Sequence, residues 1–168
     1  IERAVANGIQ RRLAEELGGQ IKTFGRYGFN KSHSVAYSVL SYQTAWLKTY
    51  YPAEFLAALL SSEIGNTDKV VQYINEAREL GLEVLPPDVN ESGFKFTVIG
   101  DRRLRFGLGA VRNVGRGAIE SFIAARKDAP FKTLPDFASR IDLRLANKRV
   151  IESLVAAGAL DSLGGHRA

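Results

Sequence analysis

The chain contains no cysteine, which excludes disulfide bonds and thiolate metal sites and fits a cytoplasmic protein. Its two histidines, His33 and His166, are too far apart in sequence for zinc-ligand spacing. No apolar run approaches the roughly 20 residues of a membrane span, and there is no secretion signal, so no membrane partner is expected. Methionine is absent, even at position 1, so we expect an excerpt from a longer polypeptide.

What the chain does contain is an uneven distribution of charge. Its formal net charge is +5 over 168 residues. From residue 102 onward, thirteen Lys or Arg stand against six Asp or Glu, which gives +7 there and leaves −2 for residues 1–101. A basic C-terminal part indicates a polyanionic partner, although basic surface also serves solubility. Charge alone leaves both interpretations open.

One stretch has the pattern of a loop that leads into a long helix. Gly28, Asn30 and Ser32 precede an apolar-periodic run, and Ser32 or Asn30 is predicted to be the N-cap. Lys31 and His33 would then lie at the mouth of the helix. Unpaired amides and the helix dipole favour an anion at that place.

A helical projection of residues 33–50, at about 100° per residue, separates two faces. The polar ribbon comprises His33, Tyr37, Ser41, Thr44 and Lys48. The opposite arc, which we expect to be buried, comprises Val35, Ala36, Val39, Tyr42, Gln43, Trp46 and Tyr50. A polar ribbon led by Lys31 and His33 suits a polyphosphate, but a solvated surface would look the same.

Elsewhere the pattern is mainly helical. Helices are predicted over residues 1–26 with a break at Gly18-Gly19, over 53–62, over 67–80 after an Asn66 cap, over 134–141, and over 148–155 after an Asn147 cap. Residues 82–92 are predicted to be an extended connector. The period then changes from 3.6 to 2, which predicts a β-hairpin over 94–106 with its turn at Gly100-Asp101. We place a domain boundary near residue 90, between residues 1–89 and 90–168.

Residues 110–123 have the pattern of a helix-hairpin-helix. Gly115 would let the backbone pass close to a phosphate, and the amides of the second helix would point at one phosphate oxygen. The usual pattern has glycine where this chain has Asn113, although asparagine tolerates left-handed backbone better than other non-glycine residues. A helical hairpin used only for packing is the alternative.

The chain resembles the alpha subunits of bacterial DNA polymerase III, the replicative family C polymerases, along essentially its whole length. The resemblance lies in Phe29-Asn30-Lys31-Ser32-His33-Ser34-Val35-Ala36-Tyr37, Tyr42-Gln43-Thr44-Ala45-Trp46-Leu47-Lys48, Tyr51-Pro52-Ala53-Glu54-Phe55, Leu85-Pro86-Pro87-Asp88-Val89-Asn90, Arg105-Phe106-Gly107-Leu108-Gly109-Ala110, Asn147-Lys148-Arg149-Val150 and Ala157-Gly158-Ala159-Leu160-Asp161. It implies a helical fingers-domain segment over 1–89 and a β-hairpin with a helix-hairpin-helix over 90–168.

The resemblance also implies roles for individual residues. Lys31 would neutralise the triphosphate of the incoming dNTP, Asn30, Ser32 and His33 would donate or orient hydrogen bonds, and Tyr37 would contact sugar or base. Primer-template duplex DNA would meet Arg112, Asn113, Val114, Gly115, Arg116, Gly117, Lys148 and Arg149. The family's catalytic carboxylates and their Mg²⁺ belong to the palm, and no Asp-x-Asp pair occurs here, so we expect no catalytic residue, no metal site and no activity in this chain alone.

The resemblance implies further partners, and the residues leave other functions open. The palm and thumb would be partners of this segment, and other replisome subunits would bind regions outside it. One alternative is a stand-alone helix-hairpin-helix module of a repair or recombination protein, which leaves residues 27–55 unexplained. The other is a purely structural helical domain.

Overall fold

The computed structural model describes residues 1–27 and 31–164, and it confirms a mainly α fold with one small sheet. The chain divides into two compact units, Ile1–Ala45 and Trp46–Ala168. Helix α3, Lys31–Tyr50, runs across the division.

The first unit contains α1, Glu2–Ala6, and α2, Arg11–Tyr27. The predicted break at Gly18-Gly19 is wrong, because α2 continues through both glycines. Glycine costs a helix interior only about 1 kcal/mol relative to alanine. The chain instead turns at Gly8, whose φ of +86° is left-handed. The Arg11 guanidinium then joins the two helices by two hydrogen bonds to the Glu2 carboxylate, of 3.0 and 2.9 Å.

The second unit begins with two helices whose ends follow from local sequence signals. Helix α4, Pro52–Ser62, starts at a proline, which fits a first-turn position because its missing N–H is not needed there. Helix α5, Thr67–Glu79, begins where the Asn66 side chain accepts a hydrogen bond from the Lys69 amide, as predicted. Gly81 follows α5 with a φ of +74°, in the left-handed conformation common after helix ends.

A three-stranded sheet packs against these helices. Its strands are β1, Glu83–Leu85, β2, Thr97–Val98, and β3, Arg103–Arg105. Strands β2 and β3 form the predicted antiparallel pair, and Gly100 takes a φ of +69° in the turn between them. Strand β1 pairs in parallel with the central β3, although its residues were predicted to be a connector. The core of this part includes Leu56, Leu60 and Leu104, each fully buried.

The remaining residues build a second core within the same unit. Its helices are α6, Arg116–Ala125, α7, Leu134–Arg140, and α8, Lys148–Ala157. Phe122 and Phe137 are fully buried with their ring centroids 5.1 Å apart. The buried residues of this core lie between Val89 and Leu163 in the chain, and those of the first core lie between Ala53 and Leu104. Phe106 packs against both cores. The domain boundary near residue 90 stays a prediction.

Candidate nucleic-acid interface

A tight turn connects the sheet to α6. The Val114 amide donates to the Val111 carbonyl at 3.2 Å, which closes the turn around Arg112 and Asn113. Asn113 has a φ of +65°. Among the described residues other than glycine, it alone has a positive φ. Type II turns require such a conformation at their third position, where glycine and asparagine are favoured. The prediction that asparagine can replace the usual glycine is confirmed for the backbone.

The element before this turn differs from the prediction. Only a single 3-10 turn, Leu108–Ala110, precedes it, where the helix-hairpin-helix pattern predicted a helix. The amides of Leu108 and Gly109 donate instead to the carbonyls of Gly93 and Phe94, at 2.8 and 3.0 Å. A Cβ on Gly109 would lie 2.8 Å from the Phe94 oxygen, so this approach requires glycine. Pairing with the neighbouring backbone therefore replaces the helix.

The N-terminus of α6 is open. Its N-cap is Gly115, with φ −78° and ψ 158°, and within the described ranges no side chain caps it. A Cβ built on Gly115 would have no atom within 4 Å, so another molecule can approach the backbone closely here. Helix α8 differs, because the Asn147 side chain accepts a hydrogen bond from its Val150 amide at 3.2 Å. Only α6 of these two helices thus presents its first-turn amides outward without a side-chain cap.

Positively charged side chains surround the two helix starts. Arg112 is exposed in the turn, and the Arg116 guanidinium lies 4.1 Å from the centroid of the Phe94 ring while remaining exposed. Lys148 and Arg149 are exposed in the first turn of α8. The ion pairs of Arg116 with Glu120 and of Lys148 with Glu152 are long, at 3.9 and 3.7 Å. Such exposed pairs contribute little, so these cations can exchange their partners for phosphates.

The other predicted residues of the turn have different surroundings. Val114 is buried, at 7% exposure, and anchors the turn in the core, so only its backbone is available to a ligand. Gly117 faces Leu145, whose methyl carbon would lie 3.7 Å from an added Cβ. The Asn113 amide nitrogen donates to the Ser153 hydroxyl at 3.1 Å, and this bond joins the turn to α8. These contacts place the turn beside Ser153, in the middle of α8, and Gly117 beside Leu145, which precedes α8.

Much of the remaining basic charge has a structural role that the sequence pattern did not reveal. The Arg102 guanidinium donates to the carbonyls of Leu80 and Gly81 after α5, at 2.6 and 3.3 Å. Arg126 donates to the Val89 carbonyl at 2.6 Å, and burial lowers its pKa, with the Asp88 charge opposing that effect. Arg140 donates to the carbonyls of Ala125 and Ala129, at the C-terminus of α6 and just beyond it. Fewer arginines are therefore available to bind a polyanion than their number in the sequence indicates.

The predicted nucleotide-binding residues lie at the start of α3, which begins at Lys31. Lys31, Ser32, His33 and Tyr37 are all exposed. Asn30 lies outside the described residues. Ser32 is inside the helix, so of the two predicted N-caps the alternative of Ser32 is wrong, and that of Asn30 stays a prediction.

The predicted polar ribbon divides in the structure. Residues two apart differ by about 200° around a helix, so Lys31 and His33 leave α3 in different directions. Lys31 lines an open cleft of about 630 Å³ together with Ser34, Ser38 and Tyr42. His33 instead stacks on Tyr37, with ring centroids 4.2 Å apart. An anion near the helix axis could still meet both side chains, but a ligand lying along one face could not.

The apolar face of α3 is exposed. Val35, Val39 and Tyr42 are 59%, 52% and 71% accessible, and no described residue of this helix is buried. The expectation of a buried face is therefore wrong for this chain by itself. The Trp46 ring contacts those of Tyr50 and Tyr51 in tilted arrangements, with ring centroids 5.0 and 5.5 Å apart, which covers only part of that face.

The described residues contain neither of two other kinds of site. Over residues 1–27 and 31–164, no group of three or more His, Cys, Asp or Glu side chains is placed to hold a metal ion. Over the same ranges, no helix is long and apolar enough to cross a membrane.

Comparisons with known proteins agree with the geometry of the turn and α6. Residues 81–168 match the family model described as "Helix-hairpin-helix motif". DNA polymerase III subunit alpha of Vibrio cholerae serotype O1 is 51% identical over 168 residues, which is 99% of this chain and 14% of that protein. The Thermus aquaticus subunit is 52% identical over 162 residues, 96% of this chain and 13% of that protein. The Escherichia coli (strain K12) subunit is 46% identical over 168 residues, 99% of this chain and 14% of that protein.

The chain thus spans about one seventh of the length of the curated relatives that it matches. The region matched to these relatives includes the start of α3, the hairpin turn and the uncapped start of α6. The chain belongs to the helix-hairpin-helix family and is homologous to a segment of the alpha subunit of DNA polymerase III.

Proposed function

We propose that this chain is the segment of a replicative DNA polymerase alpha subunit that binds primer-template duplex through its helix-hairpin-helix. The observation that carries the proposal is the open N-terminus of α6, beside an accessible Gly115 and two exposed arginines, Arg112 and Arg116. Backbone amides at a helix start and nearby guanidinium groups are the donors that bind DNA phosphates.

In this proposal, the amides of Gly115, Arg116 and Gly117 donate to the oxygens of one phosphate. Val114 and Asn113 hold the turn that aims them, Val114 by burial and Asn113 by its left-handed backbone. Arg112, Lys148 and Arg149 add charge toward neighbouring phosphates. None of these contacts reads a base, so binding is independent of sequence and strongly dependent on salt.

The start of α3 has a second proposed role, contact with the incoming dNTP. Lys31 is exposed at the first helical position, where its ammonium can neutralise triphosphate charge and the dipole adds attraction. Ser32 and His33 follow in the same turn and would donate or orient hydrogen bonds to the phosphates, together with Asn30. Tyr37, which stacks on His33, would hold the imidazole and reach toward sugar or base.

The parent enzyme is proposed to be a DNA-directed DNA polymerase that acts in the bacterial cytoplasm. The palm, the thumb and other replisome subunits would be its further parts and partners, as the similarity to alpha subunits suggests. Its Mg²⁺ is proposed to belong to palm carboxylates outside this chain, and we assign no catalytic step to the residues described here. The chain alone is expected to show no primer extension above background when Mg²⁺ is supplied.

Fluorescence anisotropy of labelled duplex DNA at several salt concentrations tests the duplex role. The triple variant Arg112→Gln, Arg116→Gln and Lys148→Gln should bind more weakly. It should also reduce the slope of log K against log salt by about 0.9 for each phosphate contact that is lost. Arg78→Gln and Lys69→Gln together, with Arg12→Gln, are a control for the loss of three positive charges, because all three residues are exposed and lie outside the proposed interface.

The outcomes separate the proposed function from its alternatives. Salt-dependent binding that the triple variant weakens and the control does not would support the proposal. Absence of salt-dependent duplex binding by the unmodified chain would overturn it and favour a purely structural domain. Stronger binding to a damaged or branched duplex than to a primer-template would favour a repair module instead.

A further inference from the structure

A relay of two hydrogen bonds connects the hairpin turn to the start of α8. The Asn113 Nδ2 donates to the Ser153 Oγ at 3.1 Å, and the Ser153 Oγ donates to the Arg149 carbonyl at 2.8 Å. The hydroxyl thus accepts one bond and donates the other, which uses its single proton without conflict. Asn113 and Ser153 are forty positions apart in the chain, so the first bond is a tertiary link, whereas the second is local to α8.

Each end of this relay lies next to an exposed arginine. At one end, Asn113 adopts the left-handed conformation of the turn and directly follows the exposed Arg112. At the other end, the accepting carbonyl belongs to Arg149, which is exposed in the first turn of α8. Glycine at position 113 would satisfy the backbone requirement equally well, but it could not donate to Ser153. The asparagine therefore provides something that the usual glycine does not.

We infer that Ser153 is a positioning residue, which through Asn113 holds the phosphate-binding turn at a fixed spacing from the cationic start of α8. This inference rests on the DNA-binding function proposed above. A fixed spacing lets one duplex backbone meet Arg112 and Arg149 together without an additional ordering cost on binding. Ser153 itself does not contact the DNA, and its effect passes through the turn.

Substitution of Ser153 tests this role with little risk to the fold. Alanine is a better helix former than serine, and the Arg149 carbonyl keeps the ordinary hydrogen bonding of α8, so Ser153→Ala should fold normally. Without this bond the turn must be ordered on binding, so duplex binding should weaken by up to the free energy of one net hydrogen bond, about tenfold, measured by anisotropy on the full chain. Ser153→Thr keeps the hydroxyl and should restore most of the affinity.

A double-mutant cycle separates positioning from a general structural effect. Asn113→Gly keeps the left-handed turn and removes the link, so Ser153→Ala should cause no further weakening in that background. Ser62→Ala is the control, because the Ser62 hydroxyl also bonds a carbonyl of its own helix, that of Leu59, outside the interface. Its affinity for duplex should match that of the unmodified chain.

The possible results distinguish this role from the proposed function. If Ser153→Ala binds duplex as well as the unmodified chain does, the positioning role is overturned while the proposed function stands. If Ser153→Ala weakens binding equally with and without the Asn113→Gly substitution, the positioning role is also overturned, because the effect would not pass through the turn. If the unmodified chain shows no salt-dependent duplex binding, both the inference and the proposed function fail.

Discussion

Replacement of Gly115 by alanine should separate DNA affinity from folding. Gly115 has ordinary backbone angles, φ −78° and ψ 158°, which alanine adopts without strain. An added Cβ would have no protein atom within 4 Å. The free energy of unfolding should therefore change by less than about 1 kcal/mol, because the restriction of the unfolded chain by alanine opposes its lower preference for an N-cap position.

The same methyl group would occupy the space through which a phosphate reaches the backbone of α6. Hydrogen bonds to charged groups contribute about 1.5–3 kcal/mol each. Loss of one such bond in Gly115→Ala predicts an affinity for duplex that is lower by about 10- to 100-fold. The slope of log K against log salt should stay nearly unchanged, because the methyl group removes a hydrogen bond and no positive charge.

The assay combines urea unfolding with fluorescence anisotropy of a labelled duplex. Gly65→Ala is the matched control, since a Cβ at Gly65, in the turn between α4 and α5, would also have no atom within 4 Å. An affinity for Gly115→Ala equal to that of Gly65→Ala would refute the reasoning, because the methyl group would then not stand in the path of a ligand. Loss of affinity together with loss of stability would refute the structural part.

Three further predictions concern other residues. Lys31→Ala in the proposed parent polymerase should raise the apparent KM for dNTP severalfold and leave DNA affinity nearly intact; an unchanged KM would contradict the role proposed for Lys31. Phe122→Ala should lower the free energy of unfolding by about 3–5 kcal/mol, because Phe122 is fully buried against Phe137, whereas Leu143→Ala, at an exposed position, should cost under about 1 kcal/mol in the same urea titration. The hydrogen bond from the Lys132 amide, followed by the charge and hydrogen bond of Arg140, lowers the pKa of Asp136 against an opposing effect of desolvation. The unfolded chain then binds a proton more readily than the folded one, so this contribution to stability is present above pH about 4 and is lost as the pH falls further. Unfolding of Asp136→Asn should lack that acid-dependent component, and an identical pH profile for both proteins would contradict the assignment.

The helix ends could be predicted because their causes are local. Asn66 and Asn147 cap their helices with their own side chains, within three residues of the amides that they accept from. Pro52 begins α4, and Gly158 ends α8 with a φ of +78°. The antiparallel pair of β2 and β3 is also local, joined by a short turn. Signals of this kind need no knowledge of the rest of the fold.

The features that were missed depend on distant parts of the chain. Strand β1 pairs with β3 about twenty positions away, and nothing in three residues before Pro86 indicates such a partner. Leu108 and Gly109 bond to Gly93 and Phe94 rather than to a helical turn. The burial of the apolar face of α3 requires a covering surface, and a periodic sequence states only that the face is apolar.

In the candidate site, too, the features with local causes could be predicted and those that depend on distant residues could not. The turn at Asn113 and the open start of α6 followed from residue types and spacing. The separation of Lys31 from His33 required the knowledge that α3 includes Lys31, because residues two apart differ by about 200° only when both are helical. The bond from Asn113 to Ser153 and the carbonyl contacts of Arg140 required coordinates.

In the proposed function, the first turn of α6 holds a DNA phosphate. NMR spectra of the ¹⁵N-labelled chain, titrated with duplex DNA, would detect this contact residue by residue. We expect the backbone amides of Gly115, Arg116 and Gly117 to show the largest shifts, with saturation at the same DNA concentration as the anisotropy signal. Shifts confined to other surfaces, with these three amides unmoved at saturation, would contradict it.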